Sequence, residues 1–189
     1  MVDNLWDHPA LGFSARFDIG TISVAVYDTA PQLLATMNGP LIGLPGTDPL
    51  ALRDAAGNLS LALTIDRIRI GNSHERTLSV TGSDGAPVGS IYVRNLSRQV
   101  AYGLYDHAFQ TDVGVLWSQD PQLQVFRLDD AAGATAGWLQ IATADLHAFR
   151  DSHQAWNTTL RTGLGDVLGP LAIGAMSMPP TLLRNVLTH

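Results

Sequence analysis

The sequence predicts a mainly β protein with C-terminal helices, built as a closed antiparallel β-barrel or a sandwich of serial hairpins. Three observations support this α+β assignment. Turn sequences with an acid or a glycine recur every 24 to 28 residues from position 28 to position 130. The segments between them carry the alternating, β-branched and aromatic residues of strands. The C-terminal third changes to a helical period and contains an uncharged apolar stretch.

The composition predicts one folded domain over residues 1–189, with a hairpin body over 13–142 and a helical part over 143–189. Hydrophobic residues make up 46% of the chain and charged residues 15%, which is typical of a folded protein with a sizeable core. The net charge of −6 argues against a nucleic-acid partner, because nucleic-acid binding needs clustered positive charge.

The chain contains no cysteine, which excludes disulfides, zinc–thiolate sites, iron–sulfur clusters and thiol nucleophiles. Its first residues, MVDNLWDHPALGFSARF, do not combine a basic segment with a following apolar one. No signal peptide is therefore predicted, and the expected location is cytoplasmic. No transmembrane segment is predicted either, because a helix that spans a bilayer needs about 20 apolar residues.

Five hairpin units share one pattern, in which an apolar residue, a spacer and an acid or glycine lead into a turn and a returning strand. The tetrapeptide DAAG occurs in two of them. Asp and Gly favour tight turns because they supply local hydrogen bonds and positive φ angles. The fourth unit carries one extra residue. We interpret the units as equivalent hairpins and, as a hypothesis, as an internal repeat. Their turns begin at Asp28, Asp54, Gly82, Asp106 and Asp130.

The last three units also share a glycine in the returning strand, at Gly89, Gly114 and Gly137. A glycine inside a strand indicates a bulge, a bend or the close approach of another backbone. About ten or more strands are expected in the hairpin body, and a meander of that length must close or fold over to hide its edges.

A helical period follows the last hairpin, and it predicts an amphipathic helix from about Ala144 to Arg161, before a natural stop at Gly163. The apolar positions recur at steps of three and four residues. They are Leu146, Phe149, His153, Trp156 and Leu160.

The next segment, GDVLGPLAIGAMSMPP, has no charged residue between Asp166 and Pro179. Apolar positions point in all directions from a helix drawn through it, so we expect a helix over 167–178 that is buried in or against the barrel. Burial at an oligomer interface and contact with a membrane are the alternatives. The tail TLLRNVLTH predicts one more short helix.

The hairpins over Val26–Leu139, with returning strands such as VGSI and VGVL, and the apolar helix over Val167–Met178 resemble the tubby C-terminal-like group. That group includes the phospholipid scramblases and the LURP-one-related proteins. The resemblance implies a closed antiparallel barrel threaded by a hydrophobic C-terminal helix, and a binding or scaffold function with lipid as one ligand. Two features depart from the family: the amphipathic helix predicted before the apolar segment, and the lack of a basic cluster like that of its phosphoinositide-binding members. No binding residue is therefore transferred.

Metal and cofactor chemistry finds little support in the sequence. His147 and Asp151 lie four residues apart, a spacing that can bring two ligands to one helical face. His153 falls on the apolar stripe of the predicted helix instead, so the three side chains do not converge. No metal site and no cofactor are predicted.

The catalytic residues stay unassigned. No Gly-x-Ser-x-Gly elbow, Walker A loop or dinucleotide-binding fingerprint occurs in the sequence. The carboxylates of Asp112, Asp120, Asp129 and Asp130 are interpreted as solvated turn and strand residues rather than as an acid–base pair, which needs a dry cleft.

Aromatic residues of the later hairpins are the candidates for a ligand pocket. In a barrel, inward aromatics fill the core, whereas aromatics near the mouth can line a pocket. Core packing and contact with a partner are the alternatives for each of them. The candidates are Trp117, Trp138, Tyr92, Tyr102 and Tyr105.

Three functions remain open at this point. The first is a non-catalytic binding or scaffold barrel for a lipid or another apolar small molecule. The second is a structural or assembly subunit of a homo-oligomer, because low charge and an apolar C-terminal segment suit subunit contacts. The third is a small barrel enzyme of the cyclase or isomerase type that acts on an apolar substrate. What fills the barrel interior distinguishes among them.

Overall fold

The chain folds into a mostly β structure with one α-helix in its described part. The computed structural model describes residues 4–18, 20–40, 49–70, 72–96, 99–120, 122–141, 153–179, 182–183 and 187. Within these ranges a short 3₁₀ turn, Leu5–Asp7, precedes twelve strands, and helix α1, Gly165–Met176, follows them. The strands are β1 Ala10–Asp18, β2 Thr21–Tyr27, β3 Leu33–Pro40, β4 Leu50–Asp54, β5 Leu59–Ile70, β6 Ser73–Gly82, β7 Pro87–Leu96, β8 Gln99–Asp106, β9 Thr111–Ser118, β10 Val125–Asp130, β11 Thr135–Ile141 and β12 His153–Leu160.

The described strands form a closed antiparallel ring. Each strand pairs with the next one along the chain, and β1 pairs with β12, with Ala10 opposite Thr159. A closed ring has no edge strand that could pair with another molecule. The prediction of a closed antiparallel barrel is therefore confirmed, and the barrel, not the sandwich, is the arrangement that this chain adopts.

The turns that begin the five sequence units all lie at one end of the barrel, which we call the turn mouth (residues 28–32, 54–58, 82–86, 106–110 and 130–134). The turns at Asp54, Gly82 and Asp130 have the same backbone pattern. In each, the first residue donates its N–H to the carbonyl four residues later at 2.9 Å. A glycine with φ between 78° and 87° completes each turn. These glycines are Gly57, Gly85 and Gly133.

The shared turn geometry explains why DAAG occurs twice. The aspartate accepts hydrogen bonds from the backbone of its own turn, and the glycine adopts the left-handed conformation that other residues disfavour. Asp130 Oδ1, for example, accepts from the N–H groups of Ala132 and Ala134 at 3.0 and 2.9 Å. The internal repeat itself stays a prediction.

Helix α1 fills the barrel interior, and every residue from Leu168 to Met176 is buried. A Cβ at Gly174 would come within 3.3 Å of the Val80 side chain on β6. The Met176 carbonyl accepts a hydrogen bond from the Trp156 indole on β12 at 2.7 Å. Strands β6 and β12 lie on opposite sides of the described ring, six places apart. The helix is thus contacted from both sides, and the predicted burial of the apolar segment is confirmed.

The glycines of the returning strands let neighbouring atoms approach the strand backbone closely, as expected from the sequence. A Cβ at Gly89 would come within 3.1 Å of the Leu171 side chain of α1, and one at Gly114 would lie 2.9 Å from Leu168 of the same helix. At Gly137 an added Cβ would meet the backbone of β12. The first two glycines therefore bring the wall of the barrel close to the helix.

The amphipathic helix predicted over Ala144–Arg161 is wrong where the structure describes that segment. His153–Leu160 form strand β12, which lies between β11 and β1 and closes the ring. Trp156, Thr158 and Leu160 are buried at every second position, as in a strand with one face toward the core.

The error has a simple physical origin. Trp156 and Leu160 are four residues apart, and that spacing fits one face of a helix and one face of a strand equally well. The two threonines between them favour a strand. Residues 142–152, which include Leu146, Phe149, His147 and Asp151, lie outside the described residues.

The tail is described in part. Leu183 donates its backbone N–H to the Pro179 carbonyl at 2.9 Å, the spacing of a helical turn, and Leu183 and Leu187 are buried. Nothing in the part of the chain that the structure describes is a helix both long and apolar enough to cross a membrane.

The close contact at Gly89 generates a stability prediction. Gly89→Ala would push a methyl group against the Tyr105 carbonyl and Leu171, and we expect it to lower the free energy of unfolding by about 1–3 kcal/mol. Gly12→Ala is the matched control, because its nearest neighbour, Asn157 Oδ1, lies at an ordinary 3.6 Å. Equilibrium denaturation in urea measures both, and equal effects of the two substitutions would contradict the packing described above.

Candidate functional site

A cavity of about 780 Å³ opens at the turn mouth, beside the N-terminal end of α1. We call it the mouth cavity. Its apolar lining comes from Leu5, Trp6, Leu34, Leu59, Leu61, Val88 and Val167, among others. Its charged lining consists of Asp54, Asp84, Asp106 and Asp166, and no arginine is among the described lining residues. The cavity therefore joins an apolar surface to a carboxylate rim.

The 3₁₀ turn Leu5–Asp7 supplies one wall of the mouth cavity. Leu5 is buried, and the half-buried indole of Trp6 lies against Gly169 of α1, where a side chain would collide with the ring. The Asp7 carboxylate accepts a hydrogen bond from the Asn4 N–H at 3.3 Å, which holds the turn closed. Trp6 thus presents part of its ring to the cavity at a fixed place.

The carboxylates of the rim are held by backbone hydrogen bonds. Asp54 Oδ1 accepts from the N–H groups of Ala56 and Asn58 at 2.9 and 2.8 Å. The side-chain hydrogen bond from Asn58 and the backbone bonds lower the pKa of Asp54. Asp106 is only 2% exposed, and its Oδ1 accepts from Ala108 N–H at 2.7 Å. The turns therefore place negative charge at set positions around the cavity.

None of the five aromatic residues predicted from the sequence lines the mouth cavity. Tyr102 is fully buried and stacks on Phe126, with ring centroids 6.3 Å apart. It fills the core, which was the alternative that the sequence left open for it.

Tyr92 lies on the outer face of the barrel. Its ring covers Gly103 on β8, and its hydroxyl donates to Asp112 on β9 at 2.9 Å. Burial raises the pKa of Tyr92 above its ordinary value, and the Asp112 carboxylate raises that pKa further. The tyrosine therefore links three neighbouring strands as a neutral hydrogen-bond donor.

Arg127 lies on the outer face of β10, between two tryptophans. Trp117 is opposite it on β9, and Trp138 is opposite it on β11. The guanidinium carbon of Arg127 lies 4.4 Å from the centroid of the Trp117 ring. Asp129 accepts hydrogen bonds from the Trp117 indole at 2.8 Å and from Arg127 at 2.7 Å. Trp138 remains 45% exposed. The structure thus brings these two tryptophans together, but away from the mouth cavity.

Tyr105 lines a second cleft of about 490 Å³, together with Ile68, Arg69, His107 and Gln110. We call it the β8–β9 cleft. The cleft and the mouth cavity share no lining residue.

A serine and a histidine meet beneath this cleft. His107 Nε2 lies 2.8 Å from Ser90 Oγ. The pair resembles a nucleophile and its base, but Ser90 is fully buried, so a substrate would not reach its hydroxyl.

Sequence reasoning missed Trp6 and Asp166, which line the mouth cavity. The turn aspartates were identified as turn residues. In an antiparallel meander every second turn lies at the same end, so their spacing of about two strands could have suggested that they share one end of the barrel. Within the described ranges, no group of three or more His, Asp or Glu side chains is placed to hold a metal ion. His153 is an exposed residue at the start of β12, not part of a helix.

Comparison with known proteins adds the following. No protein-family model and no curated protein matches this sequence. The X-ray structure of a protein from Arabidopsis thaliana is similar to this chain with a TM-score of 0.39 and 15% sequence identity, over 98% of this chain and 96% of that one. Similarity at this level assigns neither a family nor a function, and the resemblance to the tubby C-terminal-like group stays a prediction.

Asp130 at the turn mouth generates a prediction about acid stability. The Arg161 guanidinium donates to its Oδ2 at 2.8 Å, and this bond, with those from the turn backbone, lowers the pKa of Asp130. A carboxylate with a depressed folded-state pKa stabilises the fold fully above its unfolded pKa, near 3.8, and this contribution is lost as the pH falls through the folded pKa. The turn should therefore weaken only in strong acid.

We expect Arg161→Gln to raise the pKa of Asp130 toward 3.8, because the largest cause of its depression is removed. NMR titration of the side-chain carboxyl carbons measures this pKa directly. Arg16→Gln, which removes an equal charge from an exposed ion pair with Asp18, is the control. An unchanged Asp130 titration in Arg161→Gln would show that the ion pair does not set this pKa.

Proposed function

We propose that this protein is a non-catalytic binding module whose ligand is an apolar molecule with a positively charged group, bound in the mouth cavity. The observation that carries the proposal is the lining of that cavity. Apolar side chains form half of its lining, and every charged side chain among the described lining residues is a carboxylate. Pockets of several hundred Å³ with an apolar lining and a few fixed polar groups are typical of small-molecule sites.

Because helix α1 occupies the interior of the barrel, the mouth cavity is the favoured place for a ligand to bind. Leu168–Met176 of α1 are buried among the strands, and the Trp156 indole holds the Met176 carbonyl at 2.7 Å. A ligand inside the barrel would have to displace this helix. At the mouth a ligand needs no such rearrangement.

The two parts of the ligand correspond to two parts of the cavity. Trp6, Leu34, Val88 and their neighbours can cover the hydrocarbon part of the ligand. Each Å² of apolar surface that is removed from water in this way contributes about 25 cal/mol to the free energy of binding. A cationic group is attracted by the rim carboxylates and by the face of the Trp6 ring. An anionic head group would be repelled, so among lipids the proposal favours those with a cationic nitrogen. The resemblance to the tubby C-terminal-like group supports the same class of function, a binding or scaffold barrel.

The test uses the whole chain and an eight-carbon cation. We expect octyltrimethylammonium, below its critical micelle concentration, to bind saturably at one site and to change the Trp6 fluorescence. Octyl glucoside, with an equal chain and no charge, should bind more weakly. Asp166→Asn should weaken the binding of the cation about threefold, because the lost charge is exposed and partly screened.

Two variants serve as controls. Trp6→Phe should abolish the fluorescence change and so identify the site. Asp18→Asn removes the same charge outside the cavity lining and should leave the affinity unchanged. Absence of saturable binding, or equal affinity for the cation in the wild type and in Asp166→Asn, would refute the proposed site.

A second function, an assembly subunit of a homo-oligomer, is favoured by one observation. Trp138 and Val125 are 45% and 37% exposed on neighbouring strands of the outer face. Exposed large apolar side chains of this kind suit a subunit contact. We expect light scattering to show association that increases with concentration, and Trp138→Ser to abolish it. A monomer at high concentration would exclude this function for the chain.

A further inference from the structure

The most exposed large apolar side chain among the described residues lies at the turn mouth. Phe109, at the tip of the turn between β8 and β9 (the β8–β9 turn), is 75% exposed, and Leu33, beside the first turn, is 40% exposed. Each is next in sequence to a residue that lines the mouth cavity, Ala108 and Leu34 respectively. Exposed apolar side chains that gather around a site mark a surface that meets another molecule. The mouth cavity is therefore bordered by apolar groups that point away from it into solvent.

The tips of the turns around Phe109 are poor in polar side chains. Turns are usually rich in Gly, Pro, Asn, Asp and Ser. Four of the five turns carry exposed alanines at their tips, whereas the turn after β6 has Ser83 and Asp84 there. This end of the barrel thus presents small apolar side chains around one large aromatic ring. The exposed alanines are Ala30, Ala55, Ala56, Ala108, Ala131 and Ala132.

The aspartates of the turns bind the turn backbone. Asp28 Oδ1 accepts hydrogen bonds from the N–H groups of Ala30 and Gln32, both at 2.8 Å. Asp54 and Asp130 bind the same two positions of their own turns at 2.8–3.0 Å. A backbone N–H group that already has a partner costs less free energy to bring into surroundings that are poor in water. The turn tips can therefore enter a lipid surface without leaving these donors unpaired.

The charge of the turn mouth selects the kind of lipid surface. Its five turns contain five aspartates and no arginine, and Asp166 of α1 lies beside them. Two neighbouring arginines, Arg53 and Arg161, offset only part of this charge. An anionic lipid surface would repel the carboxylates. In a zwitterionic choline lipid the outermost charge is a quaternary ammonium, which carboxylates and an aromatic face such as that of Trp6 attract. Charge complementarity therefore favours choline lipids.

We propose that the turn mouth docks on a bilayer of zwitterionic choline lipids, with Phe109 inserted among the lipids and the mouth cavity facing the choline groups. This inference rests on the proposed function, because it names the bilayer as the source of the apolar cation. One aromatic ring and a few small apolar side chains give reversible docking, not permanent anchoring. The docked chain holds its open cavity against the surface that contains the ligand.

Sedimentation with vesicles tests the docking of the whole chain. We expect the chain to sediment with vesicles of dioleoylphosphatidylcholine, and to bind less when about a third of the lipid is dioleoylphosphatidylserine. Phe109→Ser should weaken binding about fivefold or more, because the inserted apolar surface is lost. Val125→Ser is the matched control. It removes an exposed apolar side chain at the end of β10 away from its turn, and it should bind as the wild type does.

A tryptophan at the tip of the β8–β9 turn reports insertion directly. In Phe109→Trp we expect vesicles with brominated acyl chains to quench more fluorescence than in the wild type, whose four tryptophans provide the background. Equal quenching in the two chains would show that the tip does not enter the lipid.

The proposal is overturned if the wild type does not sediment with choline-lipid vesicles, and the apolar tips are then a contact for another protein. Equal binding of the wild type and Phe109→Ser, in a variant whose Tm is unchanged, overturns it as well. Binding of octyltrimethylammonium in solution is measured separately, and Phe109 is not among the residues that line the cavity. A chain that binds this cation but no vesicles refutes the docking alone. One that binds vesicles through Phe109 but not the cation refutes the function proposed for the mouth cavity and keeps the docking.

Discussion

The apolar helix must be buried to be stable, and the wide ring of strands must be filled to be stable, so each depends on the other. An α-helix with its side chains is about 10 Å wide, and one without a polar face must be surrounded by protein. A barrel of about eight strands leaves room only for side chains, so a ring of this greater size needs a helix to fill it. Both ends of α1 are held: Trp6 lies against Gly169, and the Trp156 indole binds the Met176 carbonyl. The fold depends on this mutual packing.

Because the interior is full, the polar chemistry of the described residues lies at the mouth and on the outer face. The β8–β9 turn contributes residues to both the mouth cavity and the β8–β9 cleft. Asp106 and Ala108 line the mouth cavity, whereas His107 and Gln110 line the β8–β9 cleft. One turn thus separates a carboxylate-lined site from a site lined by hydrogen-bond donors.

Local physical chemistry explains which features could be predicted from the sequence. The turns at Asp54 and Asp130 and the burial of α1 were predictable, because each depends on residues adjacent in the chain. Strand β12 was not, since the spacing of Trp156 and Leu160 fits a helix and a strand alike. The mouth cavity was not either, because its walls come from the 3₁₀ turn, several hairpins and the start of α1. The spacing of the turns indicates that they share one end of the barrel, but it does not indicate that the 3₁₀ turn and the start of α1 meet them there.

The pairing of β1 with β12 has a consequence for biosynthesis. Ala10 cannot meet Thr159 until most of the chain has left the ribosome, and α1 emerges later still. Until β12 and α1 have emerged, the nascent polypeptide therefore exposes open sheet edges and an incomplete apolar core, which makes it prone to aggregation. Given the long-range contacts involved, closure of the ring should be slow. Chaperones that shield nascent chains should consequently matter more for this protein than for one whose hairpins could mature independently.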